Sequence, residues 1–220
     1  MRLLNLFSGT DSVAKPWREN GHDCISVDID PRFNPEICDD ILQIDYATLP
    51  IPDVRWASPD CSQYSRARTR ARTPRNLALA DSLVAKTIEI ITFFSNLNED
   101  LIWFIENGAS TMMWERRVAK DLTIYVTLDY CQYSRPGLYR KRARIAHSAN
   151  LIWNPRPLCD PKTCKQCVDG KRHILSAQRG PCKGKDKRID RCSLDTLHGL
   201  PRELTEEILA VCQNHMWQLI

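Results

Sequence analysis

The chain has 220 residues and a formal net charge of +4; 43% of its residues are hydrophobic and 26% are charged. A chain of this length can bury a stable hydrophobic core without disulfide bonds, and the composition excludes a disordered or collagen-like chain. The apolar runs are far shorter than the roughly 20 residues of a membrane helix, and the run at residues 1–7 is too short for a signal peptide. We therefore expect a globular intracellular protein that does not associate with membranes.

Half of the ten cysteines lie between residues 159 and 192. Without a secretory signal, such a cluster is more typical of a metal site in a reduced protein than of a disulfide framework. The segment 150–192 also contains 11 Lys or Arg residues against 4 Asp residues, whereas the rest of the chain sums to −3. A mildly acidic body with a basic segment predicts a polyanionic partner.

Short apolar segments alternate with helical patterns in the first 150 residues. Strands are predicted at residues 3–7, 24–27, 36–38, 54–57, 101–105, 123–130 and 142–148, and helices at residues 13–20, 77–94, 110–120 and 201–217. The second helix places Leu79, Leu83, Ile90, Ile91 and Phe94 mostly at three- and four-residue steps. Strands separated by helices predict an α/β fold with a parallel sheet, whose functional residues follow the carboxyl ends of the strands. Residues 150–192 show no hydrophobic periodicity, and we interpret them as an insert in the α/β fold rather than as an independent domain.

Chemically distinctive residues follow the predicted strands in a fixed order. They are Phe7-Ser8-Gly9-Thr10, Asp28, Asp40-Ile41, Pro59-Asp60-Cys61, Glu106-Asn107-Gly108 and the run from Arg140 to Arg144. In this order they resemble the motifs of the DNA (cytosine-5) methyltransferase family, and residues 57–65 are similar to the catalytic loop of small phage and giant-virus members. The resemblance covers about the first 150 residues and returns in the last 30, where Gly199-Leu200-Pro201 resembles the closing motif of the family.

The resemblance implies a Rossmann-like class I S-adenosylmethionine-dependent methyltransferase fold. Residues 1–149 would form the catalytic domain that binds the cofactor. Residues 150–192 would be a reduced target-recognition region, and residues 193–220 would return to the catalytic domain. DNA is the substrate that the family implies.

The first four strand ends would bind S-adenosylmethionine. Gly9, within the turn formed by Phe7, Ser8, Gly9 and Thr10, lets the backbone approach a ligand, and an acid at the second strand end, Asp28, accepts hydrogen bonds from ribose hydroxyls. By resemblance, Ile29 and Pro59 border the cofactor, and Asp40 with Ile41 binds the adenine; Asp39 is the alternative contact. Asp30 is expected to cap a helix. Asp11 stands where the family usually has a second glycine, and Asn5 stands where it has an aspartate.

Cys61 is the candidate nucleophile. Addition of a thiolate to C6 of cytosine makes C5 enamine-like and therefore reactive toward an electrophilic methyl group. Glu106 would bond the amino group and N3 of the ring, and the resemblance implies that Arg142 and Arg144, which share one strand face, orient the flipped base. Asp60 replaces the family's second proline, and its charge would raise the pKa of the neighbouring thiol.

Five arginines follow Cys61 within residues 66–75. This density favours a mobile loop that closes over a nucleic-acid backbone, with a solvated run of charge as the alternative. The thiol can reach C6 only if the base leaves the stack or belongs to a single strand.

The cysteine-rich insert predicts one structural zinc ion, bound by Cys159, Cys164, Cys167 and His173. Cys182 is the alternative fourth ligand, and reduced free thiols are the alternative to a metal site. The zinc would order a segment that contributes DNA affinity rather than chemistry.

Together these residues predict a monomeric enzyme that methylates C5 of cytosine in DNA. One alternative is a catalytically weakened paralogue that binds nucleic acid or cofactor, as Asp11 and Asp60 suggest; another is the same chemistry on RNA. A third alternative, a DNA-binding module stabilised by zinc, does not explain why acids and a cysteine follow successive strands.

Overall fold

The computed structural model describes residues 1–69, 71–133, 139–168, 170–176, 190–191 and 197–218. Its seven-stranded sheet comprises β1 (Arg2–Leu6), β2 (Asp23–Asp28), β3 (Ile37–Cys38), β4 (Val54–Ala57), β5 (Ile102–Gly108), β6 (Tyr125–Asp129) and β7 (Arg142–His147). The described helices are α1 (Ala14–Glu19), α2 (Leu77–Leu97) and α3 (Arg202–Trp217). A separate short pair joins β8 (Leu175–Ser176) to β9 (Asp190–Arg191) in parallel.

The sheet has the strand order β3-β2-β1-β4-β5-β7-β6. The first five strands of this order are mutually parallel, as predicted, but β7 runs antiparallel to both of its neighbours. The prediction of an entirely parallel sheet is therefore wrong at this edge. A parallel pair needs a crossover connection, usually a helix, whereas the described part of the β6–β7 connection holds one 3-10 turn, Tyr130–Gln132.

Both faces of the sheet are covered. Leu3 and Trp56 pack with α1 and α3 on one face, while Leu4 and Leu6 pack with α2 on the other. This alternation follows from the period of two along β1. Each buried side chain of this size contributes roughly 1.5–3 kcal/mol relative to an exposed one.

The core face of α2 differs by one residue from the predicted stripe. Leu79 is exposed, and the buried positions that begin with Ala80 recur at steps of four and three residues. These positions are Ala80, Val84, Thr87, Ile91 and Phe94, with Ile90 beside them. The buried face of α2 therefore begins one residue later than predicted, because Ala80 and Val84 pack against the sheet.

The helix predicted at residues 110–120 is wrong: two 3-10 turns, Met112–Glu115 and Arg117–Ala119, occupy this segment. Arg116 between them has an extended backbone conformation (ψ 147°). The Met112 amide donates to the Tyr64 carbonyl at 3.0 Å, so a tertiary contact outweighs the helical preference.

The C-terminal helix α3 lies beside α1, where Arg202 pairs with Glu19. Just before the helix, the Leu200 amide donates to Ser12 Oγ at 2.9 Å, which places this segment next to the loop after β1. At β2, the predicted capping role of Asp30 is confirmed, because its carboxylate accepts from the Arg32 amide at the start of a 3-10 turn. Within the described ranges, the helices are too short or too polar to cross a bilayer.

Candidate active site

The carboxyl ends of four adjacent strands meet at one edge of the sheet. The Gly9 amide donates to Asp28 Oδ2 at 2.8 Å, and the Asp39 amide donates to the Asp28 carbonyl at 3.1 Å. The Ser58 amide approaches the Leu6 carbonyl at 3.4 Å, which brings the end of β4 to the same place. Gly9 has φ +50°, and a Cβ there would meet no described heavy atom within 4 Å. The loop therefore leaves open space beside the Asp28 carboxylate.

Among the predicted cofactor residues at this edge, Asp28 is half-buried and Ile29 is exposed. The Asp28 carboxylate also accepts from the Asp30 amide at 2.9 Å, which holds its orientation. Ile29 is 67% exposed, so its apolar surface is accessible to a ligand. By contrast, Ile41 is buried in the core, and Asp40 accepts from the Leu42 amide at 3.0 Å. Ile41 can thus offer only its main chain to a ligand.

The loop after β1 holds two non-glycine residues in the left-handed region, Phe7 (φ 57°) and Asp11 (φ 56°). Such conformations are strained and persist where surrounding contacts hold them. The Asp11 carboxylate accepts from Ser26 Oγ at 2.8 Å and pairs with Arg18, which also binds Glu36 at 2.6 Å. These residues border a cavity of about 310 Å³. Asp11, which stands where the family usually has a glycine, therefore takes part in a local network of ion pairs.

Glu106 is a buried carboxylate with two partners that the sequence did not predict. Its Oε1 accepts a hydrogen bond from the Tyr130 hydroxyl at 3.1 Å and lies 3.4 Å from Lys141 Nζ. Desolvation opposes the charge of Lys141, but the Glu106 carboxylate, Tyr139 and Cys61 outweigh it, so the pKa of Lys141 is raised. A cation and a hydroxyl thus hold the Glu106 carboxylate in place.

The thiol of Cys61 lies in the same electrostatic environment. Desolvation by the surrounding protein raises its pKa even though the residue is exposed at the surface; Glu106 and Asp60 raise the pKa further, and Lys141 lowers it. The effect of Asp60 has the predicted direction. Its carboxylate accepts from the Ser62 amide at 2.8 Å, so it caps the turn that carries the thiol. Lys141 is therefore the cation that favours the thiolate.

Asn107 ties the end of β5 to the loop that carries Cys61. Its side chain, which is 1% exposed, donates to the Pro59 carbonyl at 2.9 Å and accepts from Thr111 Oγ1 at 2.9 Å. Because Pro59 precedes Cys61 by two residues, this amide fixes the loop relative to Glu106.

The loop after Cys61 is anchored by Tyr64, which is completely buried. Its hydroxyl donates to Asp81 at 2.9 Å, and Arg116 binds the same carboxylate.

Three of the arginines that were predicted to bind phosphates make contacts within the protein. Arg66 contacts Glu115 and the Ser110 carbonyl, and Arg68 contacts Thr73 and Pro74. Arg75 donates to the Gln63 and Ser65 carbonyls. Arg72 is exposed, and Arg70 lies outside the described residues.

Arg142 and Arg144 lie on the opposite face of the sheet from Glu106. Ile145 pairs with Glu106 across the β5–β7 ladder and shares its face, so the arginines that alternate with it face the other way. Arg142 binds Asp129 at 2.7 Å, and Arg144 stacks 4.1 Å from the centre of the Tyr125 ring. Their role in orienting a base stays a prediction.

A second cluster of chemically reactive groups lies beside this site. The ligand atoms of Cys131, Cys159, Cys164 and His173 all lie within 4.8 Å of one another. Three of these are residues of the predicted metal set, whereas Cys131 was not predicted and comes from the turn after β6. Cys167, the remaining predicted ligand, is not one of these four residues, but its sulfur lies 3.6 Å from His173 Nδ1 and 3.7 Å from His173 Nε2. The alternative ligand Cys182 lies outside the described residues.

Lys141, Tyr130, Asn107 and Cys131 were missed because sequence alone does not indicate which face or neighbour each would meet. One sequence feature could have indicated Lys141. It directly precedes β7 and lies two and four residues before Ala143 and Ile145, so the alternation of side chains places it on the same face as these residues and, once the register is known, on the face of Glu106.

No family model matches the chain. Over 204 residues, however, it is 31% identical to a protein of Frog virus 3 (isolate Goorha) named "Probable DNA (cytosine-5)-methyltransferase". The match covers 86% of this chain and 85% of the relative. The chain therefore belongs to the DNA (cytosine-5)-methyltransferase family.

Proposed function

We propose that this protein transfers a methyl group from S-adenosylmethionine to C5 of cytosine in DNA, through a covalent bond between Cys61 and C6. The observation that carries the proposal is the cluster around Lys141, whose charge acts on both the Glu106 carboxylate and the Cys61 thiol. The reaction needs a nucleophile and an acid that binds the ring, and Cys61 in the loop after β4 and Glu106 in the neighbouring strand β5 supply them.

In the proposed reaction, the Cys61 thiolate adds to C6, and the electron pair of the C5–C6 double bond moves to C5. The Glu106 carboxylate accepts a hydrogen bond from the amino group and, once N3 has taken a proton from solvent, from N3–H, which holds the ring against the thiolate. Lys141 favours the thiolate and offsets the opposing charges of Glu106 and Asp60. C5 then bonds the methyl carbon while the bond from that carbon to the cofactor sulfur breaks, so S-adenosylhomocysteine is the leaving group. Transfer of the C5 proton to water and departure of the thiolate restore the aromatic ring.

The cofactor would bind at the edge formed by the first four strands. Gly9 gives the close approach, Asp28 can accept from ribose hydroxyls, and the exposed Ile29 offers an apolar surface for the adenine. Bound there, S-adenosylmethionine supplies an electrophilic methyl group. On this basis we assign the sheet to the Rossmann-like class I methyltransferase fold.

We further propose that residues 150–192 bind the DNA backbone and contain one structural zinc ion, as their charge of +7 and their cysteines predicted. Association with phosphates should then weaken steeply with salt.

The test is trapping on DNA that contains 5-fluorocytosine. Fluorine at C5 cannot leave as a cation, so the enzyme remains attached and gives a shifted band on a denaturing gel. We expect a band that requires S-adenosylmethionine, is lost in Cys61→Ser and is retained in Cys38→Ser, which removes another exposed thiol.

Other outcomes of the trapping experiment separate the alternatives. A band in Cys61→Ser would assign the nucleophile elsewhere. Absence of a band from wild-type protein that binds the cofactor would favour the weakened paralogue, which the raised pKa of Cys61 also favours. Trapping on 5-fluorocytosine RNA but not on DNA would assign the RNA substrate.

A further inference from the structure

We infer that a zinc ion bound by Cys131, Cys159, Cys164 and His173 fastens the basic insert to the catalytic sheet, next to the Glu106 cluster. This inference deepens the zinc proposal above: it names a ligand from the sheet, and it does not depend on methyl transfer.

The distances from His173 to two of the cysteines match tetrahedral zinc. With Zn–S bonds of about 2.3 Å and Zn–N bonds of about 2.0 Å, neighbouring ligand atoms lie roughly 3.5–3.8 Å apart. His173 Nε2 lies 3.4 Å from Cys159 Sγ and 3.5 Å from Cys164 Sγ. All four ligand atoms fall within 4.8 Å of one another, and the three cysteines are not in disulfides. Three thiolates and one imidazole form a closed structural site for zinc.

The cluster is enclosed and supported by neighbouring groups. Cys131, Cys159 and His173 are each at most 8% exposed. The side-chain amide of Gln132 lies 3.7 Å from Cys131 Sγ and 3.9 Å from Cys164 Sγ, where it can donate to both sulfurs. The Cys159 amide donates to the buried Asp129 carboxylate at 3.0 Å. Such surrounding hydrogen bonds orient metal ligands.

The position of Cys131 gives the metal its structural role. Cys131 lies in the turn directly after β6, and the adjacent residue is Tyr130, whose hydroxyl binds Glu106. The Tyr130 amide also donates to the Lys141 carbonyl at 3.0 Å. A metal bound at Cys131 therefore holds the turn that supports both partners of Glu106, while Cys159, Cys164 and His173 belong to the insert.

The first measurement is the metal content of protein purified without chelators. We expect about one zinc per chain in the wild type, at least a fivefold loss in Cys131→Ser, and no loss in Cys38→Ser or in Cys212→Ser, a buried cysteine remote in sequence from the cluster. Wild-type protein that stays free of zinc after supplementation would overturn the site. Full stoichiometry in Cys131→Ser would overturn the ligand assignment, and loss in Cys167→Ser with retention in Cys131→Ser would give the position to Cys167.

Cobalt substitution counts the sulfur ligands directly. Wild-type protein loaded with Co²⁺ should show thiolate-to-cobalt absorption that belongs to three sulfurs, and Cys131→Ser should lose about one third of it. An unchanged intensity would exclude Cys131 from the site.

Hydrogen exchange tests the fastening role, independently of any trapping result. Removal of zinc by a chelator should increase amide exchange in residues 129–133 as well as in residues 159–173, while β2 stays unchanged. Increased exchange confined to residues 159–173 would mean that the metal orders the insert alone, and the inferred link to the sheet would be wrong.

Discussion

Replacing Lys141 with methionine should destabilise the protein through Glu106. The two charged atoms lie 3.4 Å apart, and the side chains of Glu106 and Lys141 are 7% and 25% exposed. At an effective dielectric constant of about 20, this distance corresponds to a gross attraction of about 5 kcal/mol, which desolvation largely offsets. Removal of the lysine leaves a buried carboxylate with the Tyr130 hydroxyl alone. Because Lys141 is partly exposed, we expect a loss of about 2 kcal/mol of unfolding free energy.

A double-mutant cycle in urea at pH 7.5 measures this coupling. In a Glu106→Gln background, the Lys141→Met substitution should cost less than about 0.5 kcal/mol, because no buried anion remains. Lys120→Met is the control: its side chain is 65% exposed and 4.0 Å from Asp121, so the change should stay below about 0.5 kcal/mol. Equal costs of Lys141→Met in both backgrounds would refute the pairing.

The pH of this assay follows from the raised pKa of Lys141. A raised pKa in the folded state contributes stability that is complete below the ordinary value of 10.5 and is lost as pH rises through the folded value. The pair is therefore intact at pH 7.5. In folded protein at the same pH and without urea, iodoacetamide should label Cys61 more slowly in Lys141→Met, because loss of the cation disfavours the thiolate. Faster or equal labelling would contradict the assigned effect on the thiol.

Arg55 is completely buried, and its guanidinium has no hydrogen-bond partner among the described residues; Arg55→Met should therefore raise stability by roughly 1–3 kcal/mol, and a lower melting temperature would contradict this. The hydrogen bond from Arg116 lowers the pKa of Asp81. This contribution is present above the unfolded pKa of about 3.9 and is lost as pH falls, so Asp81→Asn should cost up to about 1 kcal/mol at pH 7 and nothing near pH 2, measured by urea unfolding. An equal cost at both pH values would contradict it. Asp28→Ala should weaken S-adenosylmethionine binding by roughly 1–3 kcal/mol in calorimetry, and unchanged affinity would contradict the strand-end site.

Local patterns were sufficient to place most of the strands. The segment Val54–Ala57 was predicted with its observed bounds, and β1, β2 and β6 differ from prediction by a few residues at their ends. Apolar runs between turn signals determine such elements because burial of a short strand depends on its own side chains. The placement of Asp28 and Cys61 after strand ends follows from the same patterns.

Contacts between distant segments decided the rest. The reversed direction of β7 depends on the connection from β6, and the face that Lys141 presents to Glu106 depends on the register between β5 and β7. The approach of Cys131 to Cys159 and His173 needs the insert to fold back onto the sheet. The sequence by itself therefore determined the strands, the order of the motifs and the charge of the insert. Only the tertiary structure decided which groups meet at Glu106 and at the cysteine cluster, because side chains far apart in the chain become neighbours through packing that no local pattern records.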